Sequence, residues 1–173
     1  MGPNLPGSDP SKPGITIAFG YERVNVLILG PYKSRGLGKL QKIRDGLRKK
    51  GINSCNLVID LPNLSEYSTL STIERNYLKS VNEIENNDKD LLVFVFFGKL
   101  DLAGVSIELT HAICKNLFSK IVVAIEDGWE SKISTMISGS ISHNVEKKRV
   151  IYFKSIKDII DEVAGIVYIY DFS

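Results

Sequence analysis

A carboxylate held over a crevice can attack an electrophilic carbon or stabilise a cation developing there, while a second acid protonates the departing group. Glu108 and Asp101 are the pair whose setting in this chain suits that chemistry. They flank Gly104 in the run Leu-Leu-Val-Phe-Val-Phe-Phe-Gly-Lys-Leu-Asp-Leu-Ala-Gly-Val-Ser-Ile-Glu-Leu-Thr-His-Ala, residues 91–112. Its first seven residues are apolar, the pattern of a strand buried on both faces, and from Val105 the spacing becomes helical. The two acids therefore fall in and just after a strand-to-helix loop. Ligands of open α/β sheets bind outside the carboxyl ends of the strands, so Gly98, Asp101, Gly104 and Glu108 form one candidate site. Structural roles compete with this one: an acid in the first turns of a helix is favoured by the dipole alone, and a loop Asp is a common turn former.

A second constellation is Gly30-Pro31-Tyr32-Lys33-Ser34-Arg35-Gly36-Leu37-Gly38, between the first predicted strand and the first predicted helix. Amides at a helix N-terminus attract an anion, Lys33 and Arg35 add charge, and Ser34 adds a hydroxyl donor. The loop is neither a dinucleotide fingerprint nor a Walker loop, because Pro follows Gly30 and no Gly-Lys-Ser/Thr appears. Its alternative role is a tight turn relieved by glycine. Asp60, ending the second strand, stands where Rossmann-like sites bind a ribose hydroxyl, although an Asp near Pro62 also makes turns. Asp127 and Trp129 follow the fourth strand, and the Trp ring offers either a stacking surface for a base or a loop anchor. His111 lies three residues after Glu108, close enough to tune it or simply to pack beside it. His143 falls in a polar stretch and is expected to face solvent.

The elements that must position these residues alternate between apolar runs and amphipathic runs, the signature of βαβ units. Strands are predicted over residues 24–29, 52–59, 91–97, 120–125 and 149–153. Helices follow through Leu37, Leu40, Ile43 and Leu47 up to Gly51, over residues 72–85 behind the capping pair Ser71 and Glu74, from Val105, over residues 130–141, and from Ile156 behind Ser155 and Asp158. Residues 166–170 fit either a continued helix or a sixth strand. Five strands of this kind predict a single-domain doubly wound α/β fold, flavodoxin-like or Rossmann-like, with mainly parallel strands in the order 2-1-3-4-5. The loops after strands one, three and four then share a rim. Four of the six prolines fall within residues 1–13, so residues 1–14 read as a disordered tail or appended remnant, and residues 15–173 as one α/β domain. Residues 15–19 could add an edge strand.

The 173-residue length, 43% hydrophobic and 24% charged, suits one ordinary core. A net charge of +2 argues against nucleic acid as the main partner. The basic cluster Lys39, Lys42, Arg44, Arg48, Lys49 and Lys50 reads first as a solvated helix face and second as a phosphate-contacting one. Cys55 and Cys114 sit in apolar runs without metal-ligand spacing, and read as reduced core residues of a cytoplasmic protein. No signal-peptide pattern opens the chain, and no apolar run approaches the roughly 18 residues of a membrane span. No cofactor is implied.

Gly30-Pro31-Tyr32 after strand one, with Gly104-Val105-Ser106-Ile107-Glu108-Leu109-Thr110-His111-Ala112 after strand three, resembles the nucleoside 2-deoxyribosyltransferase-like superfamily. Members typically carry Gly-Pro after the first strand and later Gly-Thr-x-x-Glu-Leu-Gly-x-Ala. Here Val105 replaces the Thr, Thr110 replaces the second Gly, and Asp101 stands three residues before Gly104. The chain is also similar to archaeal proteins bearing a Gly-Pro-Tyr-Lys-Ser turn. The resemblance implies Glu108 as nucleophile toward a ribosyl C1′, a nearby acid for the nucleobase, and a homodimer, since members often complete their site with a neighbouring subunit's residue. Three functions follow as expectations. One is an enzyme cleaving or transferring an N-glycosidic bond of a nucleoside or nucleotide. Another is a nucleotide sensor of the same fold, and the third is a structural domain docking partners through its basic first helix.

Overall fold

The computed structural model describes residues 24–62, 69–100 and 102–170. The tail, the apolar run 15–19 and Asp101 lie outside the described residues. Five strands, β1 (Val26–Leu29), β2 (Cys55–Leu57), β3 (Leu91–Phe96), β4 (Ile121–Glu126) and β5 (Val150–Phe153), form one all-parallel sheet in the order β2-β1-β3-β4-β5. Five helices flank it: α1 (Ser34–Lys49), α2 (Thr72–Glu85), α3 (Ala103–Cys114), α4 (Thr135–Asn144) and α5 (Ile156–Tyr170). The fold is a doubly wound α/β sheet.

Because both faces of such a sheet are covered, its central strands need apolar side chains on both sides. Every residue of β1 and β3 is buried. On one face α1 and α5 pack Leu40, Ile43, Leu47, Ile159 and Val163 against Ile28, Val93 and Val95. On the other face α2, α3 and α4 pack Ile84, Val105, Leu109, Ala112 and Ile141 against Leu29, Phe94 and Phe96.

The helix ends follow local chemistry. Gly51, at φ +92°, closes α1 in a Schellman motif, with its N–H on the Arg48 carbonyl and the Ile52 N–H on the Leu47 carbonyl. Asn116, at φ +57°, plays the same part after α3, with bonds to Ile113 and Ala112. The Ser71–Glu74 capping box opens α2. Asp158 accepts from the Lys154 and Ser155 amides ahead of α5, which continues to Tyr170, so residues 166–170 are helix and not a sixth strand.

Several predicted boundaries move. The second strand shrinks from 52–59 to Cys55–Leu57, because Ile52 is used up in the α1 C-terminal motif and Val58–Asp60 turn into a 3-10 helix. The predicted helix 130–141 divides into a 3-10 turn, Glu130–Lys132, and α4, which carries His143 in its last turn as an exposed helical residue. Cys114 is the clearest correction: expected in the core, it is exposed, because the inward stripe of α3 is Val105, Leu109 and Ala112. Among the described residues no helix is long and apolar enough to cross a membrane.

Candidate active site

β1 and β3 are adjacent at the centre of the sheet, and their chains leave it for α1 and α3, which lie on opposite faces. This is the switch point where a doubly wound sheet opens a crevice. Gly30 directly follows β1 at this point; a Cβ there would lie 3.0 Å from Leu40 Cδ2 and 3.1 Å from the Val95 carbonyl oxygen. Pro31 turns the chain back over Gly36, where a Cβ would come 2.2 Å from the Pro31 oxygen. The Gly-Pro turn is thus held by close backbone packing.

That packing delivers Tyr32 into the protein. Its hydroxyl donates to the Ile28 carbonyl at 2.6 Å and accepts from the Val58 amide at 3.4 Å, which ties the loop after β1 to the end of β2. Burial holds the phenol well above its usual pKa, and the negative charge of Glu108 raises it further. Tyr32 is therefore a neutral donor at any physiological pH.

Glu108 reaches the same place from α3. Val105 and Ala112, three residues before it and four after, are buried, so Glu108 lies along the inward side of the helix. The Ser80 hydroxyl of α2 donates to its Oε1, while Oε2 is enclosed without a hydrogen-bond partner. Burial pushes the carboxyl up from 4.5 to about 7, against the smaller downward effect of the Ser80 bond. The helix-dipole explanation does not apply, because Glu108 is in the second turn and the first turn of α3 contains no acid. A group titrating near neutrality is a nucleophile or base when ionised and an acid when protonated.

The structure brings Tyr32 and Glu108 together. Lys33 and Arg35 are exposed at the start of α1, where no side chain caps the helix and its first turn has no acid. On the next loop Gly98 is buried, with its amide donating to Glu126 Oε2 at 2.6 Å. The Trp129 ring lies against it, and a Cβ at Gly98 would sit 2.3 Å from ring atoms. Trp129 is thus an anchor for the rim loops. Gly104 is exposed in the first turn of α3, with open space around it.

Other candidates serve the fold. Asp60 accepts from Arg44 Nη1 at 2.6 Å and from the Leu57 amide at 2.8 Å, which occupies both its oxygens. Exposed Asp127 pairs loosely with Lys154 at 3.6 Å. His111 pairs with Glu85 of α2 at 2.7 Å and not with Glu108, joined there by Lys115. The basic helix is also partly spent internally: Arg44 pairs with Asp60, Arg48 bonds the Cys55 carbonyl and Asn56, and Lys50 pairs with Asp161.

Two residues have roles that the sequence reading did not assign. Ser80 carries a signal in hindsight, since it shares the inward side of α2 with Ile84, four residues on, at a position where an apolar residue is the norm. The other is Glu126, whose bond to the Gly98 amide depends on the parallel register of β3 and β4. No family model and no curated protein matches this chain.

Proposed function

We propose that the chain binds a nucleoside or nucleotide at the switch point and cleaves or transfers its N-glycosidic bond, with Glu108 as nucleophile. The observation that carries this is the carboxylate itself: buried, anchored by Ser80 through one oxygen, and left without a partner at the other. Oε2 gives up no hydrogen bond when it engages a ligand. Ionised Glu108 forms a bond to C1′ while the C1′–N bond breaks, its electron pair leaving with the base, which takes up a proton. Water or a second base then attacks C1′ and frees the carboxylate. Asp101, which precedes α3 in the sequence, is the proposed proton donor. Exposed Lys33, Arg35 and Lys99, which have no ion-pair partner among the described residues, give the rim a positive charge suited to a phosphorylated substrate.

Binding without turnover is the second reading, favoured by the same raised pKa, because only part of Glu108 is ionised at neutral pH and the protonated form is a hydrogen-bonding group. Chromatographic detection of free base from a panel of nucleosides, their monophosphates and NAD separates the two. The proposal expects base release by the wild type and none by Glu108→Gln, with ligand affinity kept within about tenfold. A wild type that binds members of the panel and releases nothing belongs to the second reading; undiminished turnover in Glu108→Gln rules out the nucleophile.

A further inference from the structure

The two edges of the sheet are finished differently. At the β2 edge the Val26 amide donates to the Ser54 carbonyl, so strand alternation turns the backbone groups of Cys55 and Leu57 outward. Side chains meet them there: Arg48 Nε donates to the Cys55 carbonyl at 2.9 Å, and Asp60 accepts from the Leu57 amide at 2.8 Å. At the β5 edge the Asp127 amide donates to the Phe153 carbonyl, so the same alternation turns the backbone groups of Val150 and Tyr152 outward. The Val150 N–H returns to the Lys147 carbonyl. The Val150 carbonyl and both backbone groups of Tyr152 point away from every strand of the sheet, and no side chain among the described residues bonds to them. β5 itself, Val-Ile-Tyr-Phe, has neither a charge nor a proline to discourage pairing.

Beside this open edge lies a groove of about 380 Å³, walled by Ile141 and Val145 from α4 and its C-cap and by Val150 and Tyr152 of β5. Its ends carry opposite charges. Glu130, which follows β4, marks the end at the carboxyl termini of the strands, and Lys147, which precedes β5, marks the other. Neither has an ion-pair partner among the described residues. We propose that this edge binds an extended segment of a partner protein, which lies beside β5 as a further strand and sets apolar side chains from alternate positions into the groove. Charge complementarity defines that segment further: a basic residue at the Glu130 end and an acidic one at the Lys147 end. A small molecule could fill the groove, but successive outward backbone groups alongside it match the repeat of a peptide. A second copy of the chain fits less well, because its own β5 would bring Val150 and Tyr152, which already line its own groove, and both hollows would stay empty. The groove lies two strands from the switch point between β1 and β3, so the proposal does not depend on the reaction above.

Two model peptides test it, Lys-Thr-Val-Thr-Val-Thr-Glu and its exact reverse, each blocked at both termini so that only the direction of the side-chain charges differs. They are titrated into the full, nitrogen-15-labelled chain, and amide resonances are followed by NMR. One of the two is expected to shift the Tyr152 amide with a Kd below about 1 mM, at least about fivefold tighter than the other. Glu130→Lys combined with Lys147→Glu should invert that preference. Tyr152→Pro, tolerated where an edge N–H faces solvent, should abolish binding and leave resonances outside β5 and its neighbours in place. Binding by neither peptide overturns the proposal, as does equal binding of both or a preference that the double substitution fails to invert. So does a Tyr152 amide already protected from hydrogen exchange in the free chain, which would mean that a second copy or another part of this chain covers the edge.

Discussion

On one side of the sheet α1 and α5 bury Leu40, Ile43, Leu47, Ile159 and Val163 and turn Lys42, Lys49 and Lys157 to solvent; on the other, α3 turns Ile107 outward and Glu108 inward. The first layer obeys the ordinary amphipathic rule, and nothing in it needs a function to explain it. α3 breaks the rule twice within two adjacent residues. A buried acid and an exposed isoleucine are the informative departures, because each costs stability that folding alone does not require. The difference separates a layer whose residues the sheet alone explains from one that carries the proposed site.

The sharpest test of that contrast compares two isoleucines. Ile43→Ala should cost about 2–5 kcal/mol in urea unfolding, since it empties space in a closed core. Ile107→Ala should change the stability of the single chain by less than about 0.5 kcal/mol. Equal losses would show that the α3 face is covered within one molecule.

The second test titrates the inverted acid. The folded carboxyl titrates near 7 against 4.5 when exposed, so the folded state holds its proton longer. Its contribution is fully present below pH 4.5 and is lost as pH rises through about 7, by up to about 3 kcal/mol. Unfolding free energies of the wild type should therefore fall over that window, and Glu108→Gln should flatten the fall. In the proposed reaction base release moves the opposite way, rising as Glu108 ionises.

The smallest expected effect contrasts the two helix N-termini at the rim. Lys33→Ala, ahead of basic α1, should weaken a nucleoside monophosphate by about 1.5–3 kcal/mol in calorimetric titration and leave the parent nucleoside unchanged. Identical wild-type curves for the two ligands would remove the phosphate role of this loop.

What the sequence revealed divides along the same line. Strand order, the parallel sheet and the caps at Ser71 and Asp158 follow from local patterns of residues within a few positions of one another, and they were readable. The position of Glu108 was readable from its loop. Its nearness to Tyr32 followed from the strand order, which puts the loops after strands one and three on one rim; the Ser80 contact did not, because Ser80 lies 28 residues away in sequence and only the packing of α2 against α3 brings it near. His111 and Asp60 show the converse. Their spacing suited a site, but Glu85 and Arg44, distant in sequence, occupy them. Cys114 was misread because an apolar helix gives little periodicity from which to choose a side.

The Trp129 ring on Gly98 is the chain's single tryptophan. Excitation near 295 nm therefore addresses one fluorophore, placed on the β3 and β4 rim rather than in the hydrophobic interior. Its emission reports the local dielectric and quenching of that rim alone, so ligand entry can be followed by intrinsic fluorescence without a label, independently of whether the core or the opposite helical layer changes.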